Sequence, residues 1–222
     1  MNYENVENTV TLTFDDGKAN VVNHSFLDEI NSGLDRAQKE DAGAVILRGR
    51  EGIFSGGFDL REFEKGAEQG TKMVRRGFEL LVRLYSFPLP LVAACTGHGI
   101  AMGAFIIMAC DWRIGSRGEF KMSLPETRLG MDLPSILVAL TASRVTPRHL
   151  NRVTLLSEIY APEEAVSAGF LDEVVEAGDL ESRSRTVAGQ LAELPGQQFA
   201  KNKLSVRAET LKIMRSSLES FG

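Results

Sequence analysis

Residues 91–111 read LVAACTGHGIAMGAFIIMACD, and their character changes twice within that span. Leu91–Ala94 is a short unbroken apolar run, the pattern of a strand covered on both faces. Gly97-His98-Gly99-Ile100-Ala101-Met102-Gly103 is a glycine-rich turn. Ala104–Ala109 is apolar on every side, so a helix there is buried around its whole circumference. A buried strand, a turn and a buried helix in succession point to an α/β fold.

The same succession lies upstream. Gly43–Arg48 (GAVILR) is a buried strand, and Gly52-Ile53-Phe54-Ser55-Gly56-Gly57-Phe58-Asp59-Leu60 is a glycine-containing turn leading into helix-forming sequence. Met73, Val74, Phe78, Leu81, Val82 and Tyr85 give an amphipathic helix that stops at Pro88 and Pro90. Nearer the start, residues 9–14 (TVTLTF) alternate as a half-buried strand does and end at the turn Asp15-Asp16-Gly17. Phe26, Leu27, Ile30 and Leu34 recur at helical spacing, with Asn23 or Ser25 as N-cap. Downstream, WRIG and EFKMS are strand-like, and LPETRLG (residues 124–130) leads to a helix over about 134–143. Another helix opens at Pro162 and ends near Gly169; charged surface helices follow over residues 180–194 and 197–219. The expectation is one α/β core over residues 1–177 carrying the site, and a helical segment over 178–222 that serves oligomerisation and pocket closure.

Composition narrows the function. The 222 residues suffice for one substantial domain, and a net charge of −5 gives no general attraction to nucleic acid or an anionic membrane. No apolar run approaches the ~20 residues of a membrane span, and no cationic-then-apolar leader opens the chain, so the expected location is the cytoplasm. Cys95 and Cys110 lie apart in apolar surroundings and read as reduced core residues; His24, His98 and His149 share no ligand spacing, so no metal is expected. There is no GxxxxGK[ST] phosphate loop, and Gly97-x-Gly99-x-x-x-Gly103 has the wrong final spacing for a dinucleotide fingerprint.

Both glycine turns feed a helix start, where the first N–H groups lack intrahelical partners and the helix dipole is positive. Gly56-Gly57-Phe58 and Ala101-Met102-Gly103 could each offer one main-chain donor to the same developing oxyanion. Taken singly, a glycine-rich turn before a helix is most often only a tight connection.

In this setting the sequence resembles the crotonase family, the enoyl-CoA hydratases and isomerases. The resemblance is carried by Phe54-Ser55-Gly56-Gly57-Phe58-Asp59-Leu60, by Gly103 through Cys110-Asp111, by Glu126 with Leu129-Gly130, and by Ala161–Ala165 with Gly169–Val175, in that order. It implies a spiral of ββα units assembling as a homotrimer or a dimer of trimers. It also implies an acyl-CoA thioester as substrate, with coenzyme A carried on the substrate and no separate cofactor, and the amides of Phe58 and Met102 gripping the thioester carbonyl. Met102, where the family usually has glycine, narrows the pocket.

Hydratases of the family use two carboxylates. The first of those positions is Phe105 in this chain, and the second is Glu126. A phenyl ring cannot exchange a proton with water, whereas one carboxylate suffices to take a proton from C2 of a 3-enoyl thioester and return it at C4. The family's mitochondrial isomerases are similar, with an apolar residue at the first position. The resemblance therefore implies an enoyl-CoA isomerase with Glu126 as base. Asp132 is either the N-cap of the helix beginning at Pro134 or a second acid permitting hydration, dehydration or thioester hydrolysis. Lys18 and Arg61 stand where relatives place cations near the coenzyme A phosphates, with the main chain of Ser55 and Gly56 at the adenine and the tail's Lys201 or Lys203 reaching a neighbouring subunit's ligand. Leu60, Phe63, Phe78 and Leu133 are expected to line the acyl tunnel with Phe105. The competing reading is a catalytically silent or RNA-binding relative, which the net charge disfavours.

Overall fold

The computed structural model describes residues 1–221. Its strands are β1 (Asn2–Val6), β2 (Thr9–Thr13), β3 (Ala44–Arg48), β4 (Gly52–Ser55), β5 (Leu91–Cys95), β6 (Gly97–Ile100), β7 (Trp112–Ser116), β8 (Met122–Ser123) and β9 (Glu173–Val175). The helices are α1 (His24–Lys39), α2 (Leu60–Glu64), α3 (Ala67–Tyr85), α4 (Met102–Ala109), α5 (Ser135–Ala142), α6 (Pro147–Thr154), α7 (Pro162–Ala168), α8 (Leu180–Ala192), α9 (Gly196–Val206) and α10 (Ala208–Glu219).

Two sheets result. The larger has the order β1-β2-β3-β5-β7-β9, antiparallel between β1 and β2 and parallel from there on; the smaller is β4-β6-β8, all parallel. Each pair β3–β4, β5–β6 and β7–β8 gives its first strand to the large sheet and its second to the small one before the chain enters a helix. That is the spiral of ββα units implied by the resemblance. The segments around Gly52 and Gly97, expected as turns, begin with the strands β4 and β6. Glycine there reflects close strand approach: a Cβ on Gly97 would lie 2.0 Å from the carbonyl carbon of Gly52.

Apolar runs become central strands because both faces of the large sheet are covered. Val45 and Leu47 of β3 belong to the main core, while Ala44 and Ile46 face Leu180, Val187 and Ala188 of α8 on the other side. α4 is buried at all eight positions, as its composition requires. Cys95 and Cys110 are free and buried, and burial pushes both thiols up to about 12.

The segment from residue 178 is built into the rest. α8 covers one face of the sheet, and α10 packs against α3 and α5. The single helix expected over 197–219 is broken at Arg207, whose guanidinium donates to Tyr85 O and Asp111 Oδ1, both at 2.7 Å. Lys203 is buried beside it and donates to Asp111 Oδ2 at 2.7 Å, and burial brings its amine down to about 8. Lys203 therefore anchors the tail to its own chain and is not free to reach another subunit's ligand, a correction to the sequence reading. Among the described residues no helix is long and apolar enough to cross a membrane.

Candidate active site

The two glycine turns meet. Gly57 has φ +97°, and a Cβ placed there would lie 2.9 Å from the Ala101 Cβ and 3.4 Å from the Met102 amide nitrogen. A Cβ on Gly103 would lie 2.4 Å from Ser55 O, so the start of α4 rests directly on the end of β4. Ala101, just ahead of α4, has φ 50° and ψ −123°, a conformation an L-residue adopts only where its surroundings enforce it. Its own N–H donates to Ser123 O at 3.0 Å, and that bond to β8 fixes the turn. Phe58 is held in parallel bridging with Val22 through Val22 N–H to Gly57 O (2.8 Å) and Asp59 N–H to Val22 O (3.0 Å). Among the described residues no hydrogen bond has the Phe58 or the Met102 N–H as donor.

Both residues line a cavity of about 330 Å³ with Val74, Phe78, Phe105, Glu126, Met131, Asp132, Pro134, Leu137 and Phe221. Glu126 precedes a short 3₁₀ turn over Thr127–Leu129, and its carbonyl accepts from Leu129 and Met131 N–H at 3.0 and 2.9 Å. The turn is tied down by Thr127 Oγ1 donating to Thr154 O (2.7 Å) and by Arg128 N–H donating to Ser157 Oγ (3.2 Å). The side chain of Glu126 is turned inward: the residue is 6% exposed, and its Oε2 is buried with no hydrogen-bond partner. Burial without a cation pushes the carboxyl up from 4.5 to about 7. It is a buried carboxyl, not a surface cap.

Asp132 lies on the same cavity but is exposed. It does not cap α5: no side chain accepts at the Pro134 N-cap, and the Ile136 amide donates instead to Ser217 Oγ at 3.1 Å. Phe105 is 1% exposed, at once core and pocket wall.

Other expected site residues fall elsewhere. Leu60 is 71% exposed on the short helix α2 and does not line the cavity. Phe63, also on α2, lays its ring against Gly70, and Leu133 packs into the core edge; neither is part of the lining. Ser55 is wholly buried; its hydroxyl donates to Asn20 O at 2.7 Å and accepts from Gly57 N–H at 3.2 Å, so it braces the turn. Gly56 N–H is taken by Ala19 O at 2.8 Å. Arg61 pairs with Asp59 at 2.7 Å, and Asp59 also caps α2 by accepting from the Arg61 amide; Arg61 holds the Asp59 carboxyl below its ordinary range. Lys18 is exposed, and its carbonyl accepts from Arg50 Nε at 2.8 Å. Among the described residues no cluster of three or more His, Cys, Asp or Glu is placed to hold a metal.

Of the lining residues that the sequence left unassigned, Val74 sits on the apolar stripe of α3, and Met131, Pro134 and Leu137 flank the Glu126 segment. Phe221 has no periodic or motif signal at all.

A family-wide sequence profile for enoyl-CoA hydratase/isomerase matches residues 4–219. A probable enoyl-CoA hydratase of Bacillus subtilis is 30% identical over 199 residues, covering 85% of this chain and 74% of that protein. The mitochondrial enoyl-CoA delta isomerase 1 of rat is 26% identical over 218 residues, covering 95% and 75%. An enoyl-CoA hydratase/isomerase family protein of Pseudomonas syringae superimposes with a TM-score of 0.95 at 35% identity, over 98% of this chain and 94% of that one. These likenesses define an enzyme with the crotonase fold. The chain belongs to the enoyl-CoA hydratase/isomerase family.

Proposed function

We propose that the chain is a Δ3-to-Δ2 enoyl-CoA isomerase. The observation that carries this reading is Glu126, a buried carboxyl whose Oε2 has no hydrogen-bond partner, in a pocket whose other walls are apolar apart from exposed Asp132. In the proposed reaction the thioester oxygen accepts from the Phe58 and Met102 amides. Glu126 takes the proton from C2, the charge moves onto that oxygen as a dienolate, and the carboxylic acid then protonates C4. The double bond moves into conjugation, and no water is consumed. Phe105 supports this against hydration, because it occupies the position at which hydratases of the family keep their first acid. Coenzyme A arrives as part of the substrate. Lys18 and Arg61 are the cations proposed near its phosphates, and the partly exposed main chain at Gly56 the contact for its adenine; wholly buried Ser55 does not reach it.

A base must be ionised to act. With Glu126 titrating near 7, kcat/KM is expected to climb as pH rises and to level off above about 7. Stability should run the opposite way. Between about 4.5 and 7 the folded chain keeps a proton that the unfolded chain has released, so the fold loses stability as pH rises through that interval. Replacement of Glu126 by Gln should flatten both profiles.

Asp132 favours a second reading, since it faces the same cavity and could activate water for hydration, dehydration or thioester cleavage. The two separate when purified protein is offered a 3-enoyl and a 2-enoyl thioester and absorbance of the conjugated thioester is followed. The isomerase gains signal from the first and leaves the second unchanged, with Asp132→Asn altering turnover by less than about tenfold. Loss of signal from the 2-enoyl substrate, abolished in Asp132→Asn, would establish the hydratase instead. Leu155, Leu156 and Val206 stand out into solvent, apolar surface of the kind a second copy covers, which supports the proposed trimer or dimer of trimers.

A further inference from the structure

One wall of the pocket comes from the far end of the chain. Phe221 lines the cavity in company with Val74 and Phe78 of α3 and Leu137 of α5. Three ties hold it there. Its ring meets Phe78 edge to face, with centroids 4.9 Å apart and planes at 67°. Arg75 Nη1 donates to the carbonyls of both Leu218 and Phe221, so the backbone on either side of the last turn is gripped by a guanidinium from α3. One turn earlier, Ser217 accepts from the Ile136 amide in the first turn of α5, an N–H with no intrahelical acceptor. A ring that only finished the core would be buried among apolar neighbours; Phe221 remains partly exposed and borders the cavity that holds Glu126.

We infer that Phe221, clamped by Arg75, is the stop that sets how long an acyl chain the pocket admits; this rests on the acyl-thioester reading above. The cavity of about 330 Å³ is at the small end of ligand sites, so its walls limit what an acyl chain can occupy. Once the terminal methyl meets a fixed ring, each further methylene costs about 10–200-fold in discrimination.

The test measures binding of saturated acyl-CoA thioesters of increasing even chain length to the full chain by calorimetry, for the unaltered protein, Phe221→Ala and Phe221→Trp. The expected result is an affinity that rises with length and then falls about tenfold or more at a limit. That limit moves to longer chains in Phe221→Ala and to shorter ones in Phe221→Trp. Opposite shifts are something a loss of folding cannot produce, and Phe221→Trp keeps an aromatic ring to hold the tail. A limit that moves in neither variant, or no limit in the unaltered protein, overturns the inference. A moving limit in a protein that does not isomerise 3-enoyl thioesters would sink the isomerase reading alone. Isomerisation with an unmoved limit would sink the stop alone, and failure to bind any member of the series sinks both.

Discussion

Glu126→Gln is expected to lower turnover of a 3-enoyl thioester by about 10²–10⁴-fold, the span a positioned proton-transfer group contributes, while leaving affinity for saturated acyl-CoA within a few-fold. The amide is nearly isosteric and can neither take the C2 proton nor return it at C4. Thermal denaturation supplies an internal control. The buried carboxyl has an unpartnered Oε2 and carries charge above about pH 7, so its removal should hold or raise stability there. Loss of activity in a variant at least as stable as its parent separates chemistry from folding. Full activity would remove Glu126 from the proposed role.

Gly57→Ala is expected to cost turnover about 10²–10³-fold, comparable to loss of one oxyanion donor. The position has φ +97°, and the new methyl would stand 2.9 Å from the Ala101 side chain and 3.4 Å from the Met102 nitrogen. The strain falls on both turns together, so the Phe58 and Met102 amides move apart. Because the oxyanion exists only as the reaction proceeds, the loss should fall on kcat far more than on KM. Steady-state kinetics on the 3-enoyl substrate checks this. An equal loss in KM alone would mean the turn binds ground-state substrate without stabilising the dienolate.

Much of the fold was legible because it rests on burial. AVIL and LVAAC are unbroken apolar runs, and they lie in the central strands of a sheet covered on both faces. The all-apolar stretch after Met102 is the helix buried on every side. β4 and β6 were masked by their glycines, which signal turns locally but here admit close strand approach. The break at Arg207 carries no glycine or proline; it follows from a guanidinium drawn to Asp111, a residue 96 positions away, and such a pull is invisible in periodicity. Glu126 and Phe105 could be picked out because the motifs around them are dense. Leu60 and Phe63 were apolar residues beside a site motif, yet a five-residue helix on the surface turned them away from the cavity. Phe221 was hidden for the opposite reason: its place in the pocket depends on the path of the whole tail, fixed by Arg75 and Ser217.

A 3-enoyl thioester deuterated at C2 reports whether one carboxyl carries one proton from C2 to C4. Burial of the carboxyl, only 6% exposed, shields it from solvent exchange, so the product is expected to carry a substantial share of the label at C4. Product whose C4 holds hydrogen from water alone, or which carries a hydroxyl at C3, would contradict it.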